Sequence, residues 1–374
     1  MRVQRLLLLV LLGAGPVRAH SVSNELALGL YQNSPSTPQS AYVADQLTFR
    51  FELDDAWTLK LGGTYTYDGE TPPEEGAVFG TSSAQVLGVV GGLELEASPR
   101  VDLYLDVSGS PSASQRFGTT LPPPDDVTPG TEIQVHNASS SVGVLFGASF
   151  VIGGTEFLET VLGGTVLDVS AGWTLMSTHQ RLDAAVDPRT GQPVSGSTFQ
   201  TICKFFPNTR GCQKLRTLLK GGTDTINQFM LSAALLQPLG STTDLGLSAS
   251  VYVYDQNPLS ASFFTNLAQQ LSSLGGGFPL APQRWSISPM LEQRIGNWSI
   301  SPWYQFLQYV NDDDGTAYGQ AHVAGLRVSV KIGNDWTVWV AGSLQWDLLN
   351  NSLPLTGTTL LTSGRVAVGF RARF

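Results

Sequence analysis

Charge, histidine, cysteine and long apolar runs are all scarce in this 374-residue chain, and each shortage removes a class of function. Charged residues make up 14% of it, where a soluble domain carries about a quarter. Acidic residues outnumber basic ones 30 to 21. Nothing here offers a phosphate backbone a dense basic surface, so nucleic acid is excluded as a partner. The two cysteines, Cys203 and Cys212, share one polar stretch, TICKFFPNTRGCQ. A metal centre would need further ligands at workable spacing, and none accompany them; in an exported chain the pair reads as a local disulfide closing a loop. There are four histidines, His20, His136, His179 and His322, and no Gly-x-Ser-x-Gly elbow. No nucleophile stands with a base and an orienting group, so the chain is read as neither an enzyme nor a cofactor binder. The apolar run Leu6–Leu12 falls far short of the roughly 18–20 residues of a spanning helix, and no later segment reaches that length.

That run does have a use. In MRVQRLLLLVLLGAGPVRAH, Arg2 and Arg5 precede the apolar stretch, Gly and Pro follow it, and small residues lead to a cut after Ala19. This is the layout of a secretory signal peptide. The division is therefore residues 1–19 as signal and 20–374 as one domain. Removing Arg2, Arg5 and Arg18 takes the formal charge from −9 to −12.

The mature chain alternates apolar and polar residues with period two, in paired segments. LTFRFEL sets Leu47, Phe49, Phe51 and Leu53 against Thr48, Arg50 and Glu52, and after Asp54-Asp55-Ala56 the segment WTLKLGGTYTY repeats the pattern. HVAGLRVSVKI and WTVWVAGSLQW do the same around Gly333-Asn334-Asp335, and a further hairpin turns at Gly296-Asn297; such Asn, Asp and Gly turns are hairpin chemistry. About fourteen strands follow from the period-two count, within a range of roughly 12 to 16. Long connections (32–41, 68–83, 109–137, 178–225, 255–283, 311–318, 348–360) interleave with short ones near 55, 99, 155, 240, 296 and 334. Trp57, Trp298 and Trp336 each open a strand just after a short turn, while Tyr65, Tyr67, Tyr304 and Trp346 lie toward the long-loop ends, as two interfacial aromatic belts require.

The last ten residues, RVAVGFRARF, put Val366, Val368, Phe370, Ala372 and Phe374 on one strand face and Arg365, Arg371 and Arg373 on the other. With this ending the chain resembles bacterial outer-membrane β-barrel proteins, whose final amphipathic strand and C-terminal aromatic are recognised by the barrel-assembly machinery; Val366, Val368, Phe370 and Phe374 match that signal. The resemblance covers the whole mature chain and implies an all-β, antiparallel, up-and-down transmembrane barrel. Long loops would face the cell exterior and short turns the periplasm, with outer-membrane lipid, the assembly machinery and small solutes as partners. Fatty-acid transporters of the FadL type and some monomeric porins share the strand number. The former carry an N-terminal hatch, whereas this chain enters its first strand within a few residues of position 20. The His-x-Ser arrangement of outer-membrane phospholipases is absent.

With the apolar parity given to lipid, the other parity faces the interior. There it places Arg50, Glu52, Lys60, Glu94, Asp102, Asp106, Glu292, Arg294, Arg327, Lys331, Arg371 and Arg373, with small residues such as Thr64, Ser170, Ser248, Ser288 and Ser329 between. A barrel of about fourteen strands is wider than one its own side chains fill, so an aqueous pore is the geometric default. The expected function is passive diffusion of small hydrophilic solutes. The alternatives are a FadL-like transporter of hydrophobic compounds lacking a hatch, and a structural or adhesive barrel with a plugged lumen. Two loops bear on the choice: 257–283, with Phe263, Phe264, Leu267, Leu271 and Leu274 at helical spacing, and the Cys203–Cys212 loop. Acidic loop residues, Asp312 to Asp314, Glu70, Glu74 and Glu75 with Asp68, match no defined calcium loop, so no metal is expected; lining the mouth, they would favour cations.

Overall fold

In the computed structural model, residues 19–31, 40–69, 79, 84–120, 132–152, 164–187, 189–195, 197, 201, 204, 222–256, 283–310, 319–350 and 358–374 are described. The residues before 19 that read as a signal peptide, both cysteines, the amphipathic stretch of 257–282 and the acidic loop residues other than Asp68 lie outside them.

Fourteen antiparallel strands close on themselves: β1 (Ala19–Tyr31), β2 (Ser40–Glu52), β3 (Trp57–Asp68), β4 (Ala84–Ser98), β5 (Val101–Thr120), β6 (Glu132–Ile152), β7 (Thr165–Val186), β8 (Gly222–Leu239), β9 (Thr243–Tyr254), β10 (Gln283–Ile295), β11 (Trp298–Tyr309), β12 (Gly319–Ile332), β13 (Trp336–Asn350) and β14 (Thr358–Arg373). Each strand pairs with its sequence neighbours, and β1 completes the ring by pairing with β14 from Ser21↔Arg373 to Leu30↔Gly364. Closure leaves no open sheet edge, the condition for a sheet that crosses lipid.

Alternation determines the two faces. Leu28, Phe146, Leu231, Val253, Val340, Leu344 and Val366 stand out on the exposed apolar surface, while their chain neighbours line the interior. Turn chemistry holds the short ends. Gly296, at φ 60°, opens the two-residue β10–β11 turn, a backbone region only glycine adopts without strain. At the β2–β3 turn Asp54 Oδ1 accepts from the N–H groups of Ala56 (2.9 Å) and Trp57 (2.8 Å).

Strands β5, β6 and β7 are taller than expected. The connections read from sequence as 109–137 and 178–225 shrink to 121–131 and 187–221, because β5 runs on to Thr120, β6 begins at Glu132, β7 ends at Val186 and β8 begins at Gly222. At 20, 21 and 22 residues these strands exceed the roughly 9–11 a barrel strand needs to cross lipid. With water on their outer side the extensions carry no apolar stripe for a periodicity argument to find.

One seam is interrupted at two prolines. The β10–β11 ladder pairs Ser286↔Leu307 and Ile287↔Phe306, lapses, resumes at Met290↔Trp303, lapses again and resumes at Gln293↔Ile300. Pro289 and Pro302 sit in the two lapses, and neither has an N–H to donate. The carbonyl of Tyr304, opposite Pro289, instead accepts the Ser288 hydroxyl at 2.9 Å. On their other sides both prolines keep register, with Leu247 and with Leu326.

Candidate channel lumen

Inside the barrel, aromatic rings are seated on glycines. Tyr42 lies over Gly29, Tyr104 over Gly147, Trp303 over Gly325 and Trp339 over Gly369; a Cβ at any of these glycines would fall 2.1–2.4 Å from the ring. Each pair is a direct cross-strand partnership. Large rings thus lie flat along the wall where upright side chains would fill the bore, which accounts for part of the high glycine content.

Charge gathers toward the short-turn end. A mouth cavity of about 750 Å³ is lined by Arg50, Glu52, Lys60, Glu94, Asp102 and Asp106, with Asp54 and Asp55 from the turn and Glu96 from β4. Here Arg50 pairs with Glu94, and Lys60 Nζ donates to Asp106 Oδ2 at 2.9 Å. Each pair reaches across an intervening strand. Acids outnumber bases in this lining. On the opposite wall Arg294 pairs with Asp244 and, at 3.2 Å, with Glu292.

A larger cavity of about 1260 Å³ continues along the bore and takes in Glu292, Arg327 and Lys331 among the residues expected from sequence. Its β12–β13–β14–β1 side carries a connected network. Arg365 Nη2 donates to Glu25 Oε1 at 2.7 Å, Trp339 Nε1 donates to Glu25 Oε2 at 3.0 Å, and the Arg327 guanidinium lies 4.3 Å from the Trp339 ring centre. On β7, Asp168 accepts from Tyr104 Oη at 2.9 Å and from Ser149 Oγ at 2.6 Å. Between these centres run hydroxyl contacts such as Ser232–Ser250 (2.9 Å) and Ser299–Ser329 (2.6 Å). Arg371 and Arg373 share the inward parity of Arg365, and among the described residues neither side chain joins an ion pair.

One sector differs. Met176, Ile226 and Tyr254 cluster together, as do Leu307, Tyr309, Ala321 and Val323 with Trp303 against them, and Met290 faces Trp303 directly. This apolar pad occupies the β7–β12 arc.

Sequence reading did not single out Glu25, Asp168, Asp244 or Arg365 as lining residues, although strand alternation carries the signal for each. Alternation gives the facing of the rings Tyr104, Trp303 and Trp339 as well, but not that each lies on a glycine, because that depends on the partner strand's register. On the outer surface Trp57, Trp298 and Trp336 are exposed at the short-turn ends of their strands, and Tyr65, Tyr67, Tyr304 and Trp346 are exposed toward the long-loop ends. Val366, Val368 and Phe374 are exposed on that surface, and Phe370 stacks near Trp336 with ring centres 5.8 Å apart.

No protein-family model matches the chain, and no curated protein matches it by sequence. Solved structures do match. A FadL homologue of Pseudomonas aeruginosa superposes with a TM-score of 0.55 at 12% identity, over 95% of this chain and 89% of that one. The Pseudomonas putida toluene transporter TodX gives 0.55 at 10% identity, over 96% and 91%. A TodX mutant described as a monoaromatic hydrocarbon channel gives 0.58 at 10% identity, over 96% and 91%. At such identities the likeness is one of fold: this is an outer-membrane type of 14-stranded barrel.

Proposed function

We propose that this chain is an outer-membrane channel through which small hydrophilic solutes diffuse passively. The observation that carries the reading is the cavity of about 1260 Å³ along the bore, where serines, glycines and ion-paired side chains stand beside apolar ones such as Met290, Trp303 and Leu307, followed by the charged mouth of about 750 Å³. Paired charges and serines offer a solute hydrogen bonds in place of water without holding it tightly. The acidic excess at the mouth favours cations. The reading takes residues 1–19 as a signal peptide, Cys203 and Cys212 as a loop disulfide, the exposed tryptophans as an interfacial belt and the final strand as the assembly signal.

The apolar pad around Met290 and Trp303 supports a second reading, a transporter of hydrophobic compounds, and the names of the TodX structures point the same way. Single-channel currents of the refolded chain, with sized neutral polymers added, separate the two. Steps that shrink as polymers enter, with reversal potentials favouring cations, are expected of the open pore. A folded barrel that stays electrically silent while taking up monoaromatic compounds would replace the first reading with the second.

A further inference from the structure

The outer surface carries a basic row that the channel reading does not use. Arg116 on β5, His136 on β6 and Arg181 on β7 are direct cross-strand partners, Arg116↔His136 and His136↔Arg181. Three cationic or protonatable side chains side by side repel one another. Among the described residues the carboxylate of Asp183 sits between them, 2.8 Å from Arg116 Nε, 3.2 Å from Arg181 Nε and 4.0 Å from His136 Nδ1. Both arginines remain more than half exposed, at 52% and 55%.

The row faces outward. On β6, Val142, Val144 and Phe146 are exposed outside while Ser141 lines the lumen, and on β7 Val169 is outside while Asp168 and Met176 line it. The same alternation sets His136 and Arg181 outside. Arg116 joins them only because β5 shifts register between Ser110 and Ala113, which reverses its parity. A second irregularity, between Gln134 and Val135 on the β6–β7 ladder, lies where Asp183 enters the group.

Height matters as much as direction. From Val142, the last outward apolar residue of β6, to His136 is six residues along a tilted strand, roughly 15 Å above the apolar surface. Between them the wall presents Ser140 and Ala138 on β6 and Ser177 on β7, with the exposed imidazole of His179 beside Ala138. A headgroup can rest on such a shelf.

We propose that this row binds the phosphate-bearing headgroup of an outer-leaflet glycolipid, a proposal that rests on the outer-membrane reading of the barrel. Guanidinium forks match phosphate oxygens in geometry and charge, and both arginines keep more than half of their side-chain surface exposed. Acyl chains of the same molecule run down Val142, Val144 and Val169. A soluble anion would gain nothing from that apolar surface, so a lipid is the favoured occupant.

The test uses the full mature barrel in detergent, with bisphosphorylated lipid A and the same lipid A stripped of its phosphates as probes, read by native mass spectrometry. Wild type is expected to hold the phosphorylated form about tenfold or more tighter. Arg116→Gln with Arg181→Gln should erase that preference. Asp183→Asn, which removes the neutralising carboxylate, should increase it several-fold; because this change runs opposite to the loss in the arginine variant, misfolding cannot mimic the pattern. Equal binding of the two lipids by wild type overturns the proposal. So does displacement of lipid A by millimolar inorganic phosphate that itself binds as tightly, since the site would then take a free anion. Conductance is expected to be unchanged in these variants. Failure of the channel reading would show in wild-type currents and leave the lipid ratio untouched.

Discussion

Two neighbouring arcs of the barrel wall solve the same problem differently. Along β12, β13 and β14 the ladder is continuous, from Gly319↔Leu349 to Ile332↔Trp336 and from Trp336↔Ala372 to Asn350↔Thr358, and a polar network centred on Glu25 lies against it. Between β10 and β11 two prolines interrupt the ladder, and the side chains facing the lumen there are Met290 and Trp303. The difference teaches that a complete ladder holds groups needing fixed donors and acceptors in place. An interrupted ladder is covered instead by adaptable apolar side chains, which lose little if the backbone shifts.

The largest effect in this comparison should come from its polar side. Glu25→Ala removes an acceptor shared by Arg365 and Trp339, and losing a charge-assisted hydrogen bond to a largely buried guanidinium together with the indole's acceptor costs about 2–3 kcal/mol. Urea unfolding in liposomes measures it, and adding Arg365→Gln should recover part of the loss. A double variant no better than the single would show that the pair does not act as a unit.

Next is the apolar side. A side chain at Gly325 would meet Trp303 at 2.2 Å. Gly325→Val should therefore drive the ring off the wall, destabilise the barrel by about 1–3 kcal/mol and reduce single-channel conductance. Unchanged conductance would mean that Trp303 does not border the solute path.

Hydrogen exchange tests the seam directly. The amides of Leu291 and Tyr304 should exchange about tenfold faster than those of Leu326 and Val328, because local opening is easier where the ladder is broken. Pro302→Ala should slow Leu291, with overall stability changed by less than about 1 kcal/mol, since the regained hydrogen bond is offset by a freer unfolded chain. Uniform protection across both arcs would end the comparison.

The smallest effect lies outside the membrane. Asp255, past the end of β9, accepts from the Asn227 amide at 2.6 Å and backbone N–H at 3.0 Å, and these bonds hold its carboxyl below the usual carboxylate range. The depressed value stabilises the fold above the unfolded carboxylate pKa and is lost as pH falls through the folded one. Asp255→Asn should remove that slight acid sensitivity from thermal melts between pH 5 and pH 3, a window set by ordinary carboxylate values of about 4.

Much of the architecture was legible in the residues. The strand openings at Trp57, Trp298 and Trp336 read from sequence are those of the structure, because an apolar stripe, a turn and a tryptophan coincide at each. Where lipid no longer demands the stripe, at 109–137 and 178–225, the reading shortened the strands. Arg50, Lys60, Glu94 and Asp106 were legible as interior groups by alternation, but their pairing across an intervening strand was not, since register between strands leaves no trace within either one.

The sequence alone determined the class of object: a chain with little charge, no spanning helix and a period-two pattern, whose polar backbone must pair strand to strand and close into a ring. Tertiary structure decided what alternation cannot: which glycine lies beneath which ring, which acid meets which base, and that a bulge in β5 turns Arg116 outward to stand beside His136 and Arg181. The reason is physical. Facing depends on a residue's own position in its strand, whereas contact depends on the register of its neighbours, and a single extra residue in one strand reverses every face beyond it.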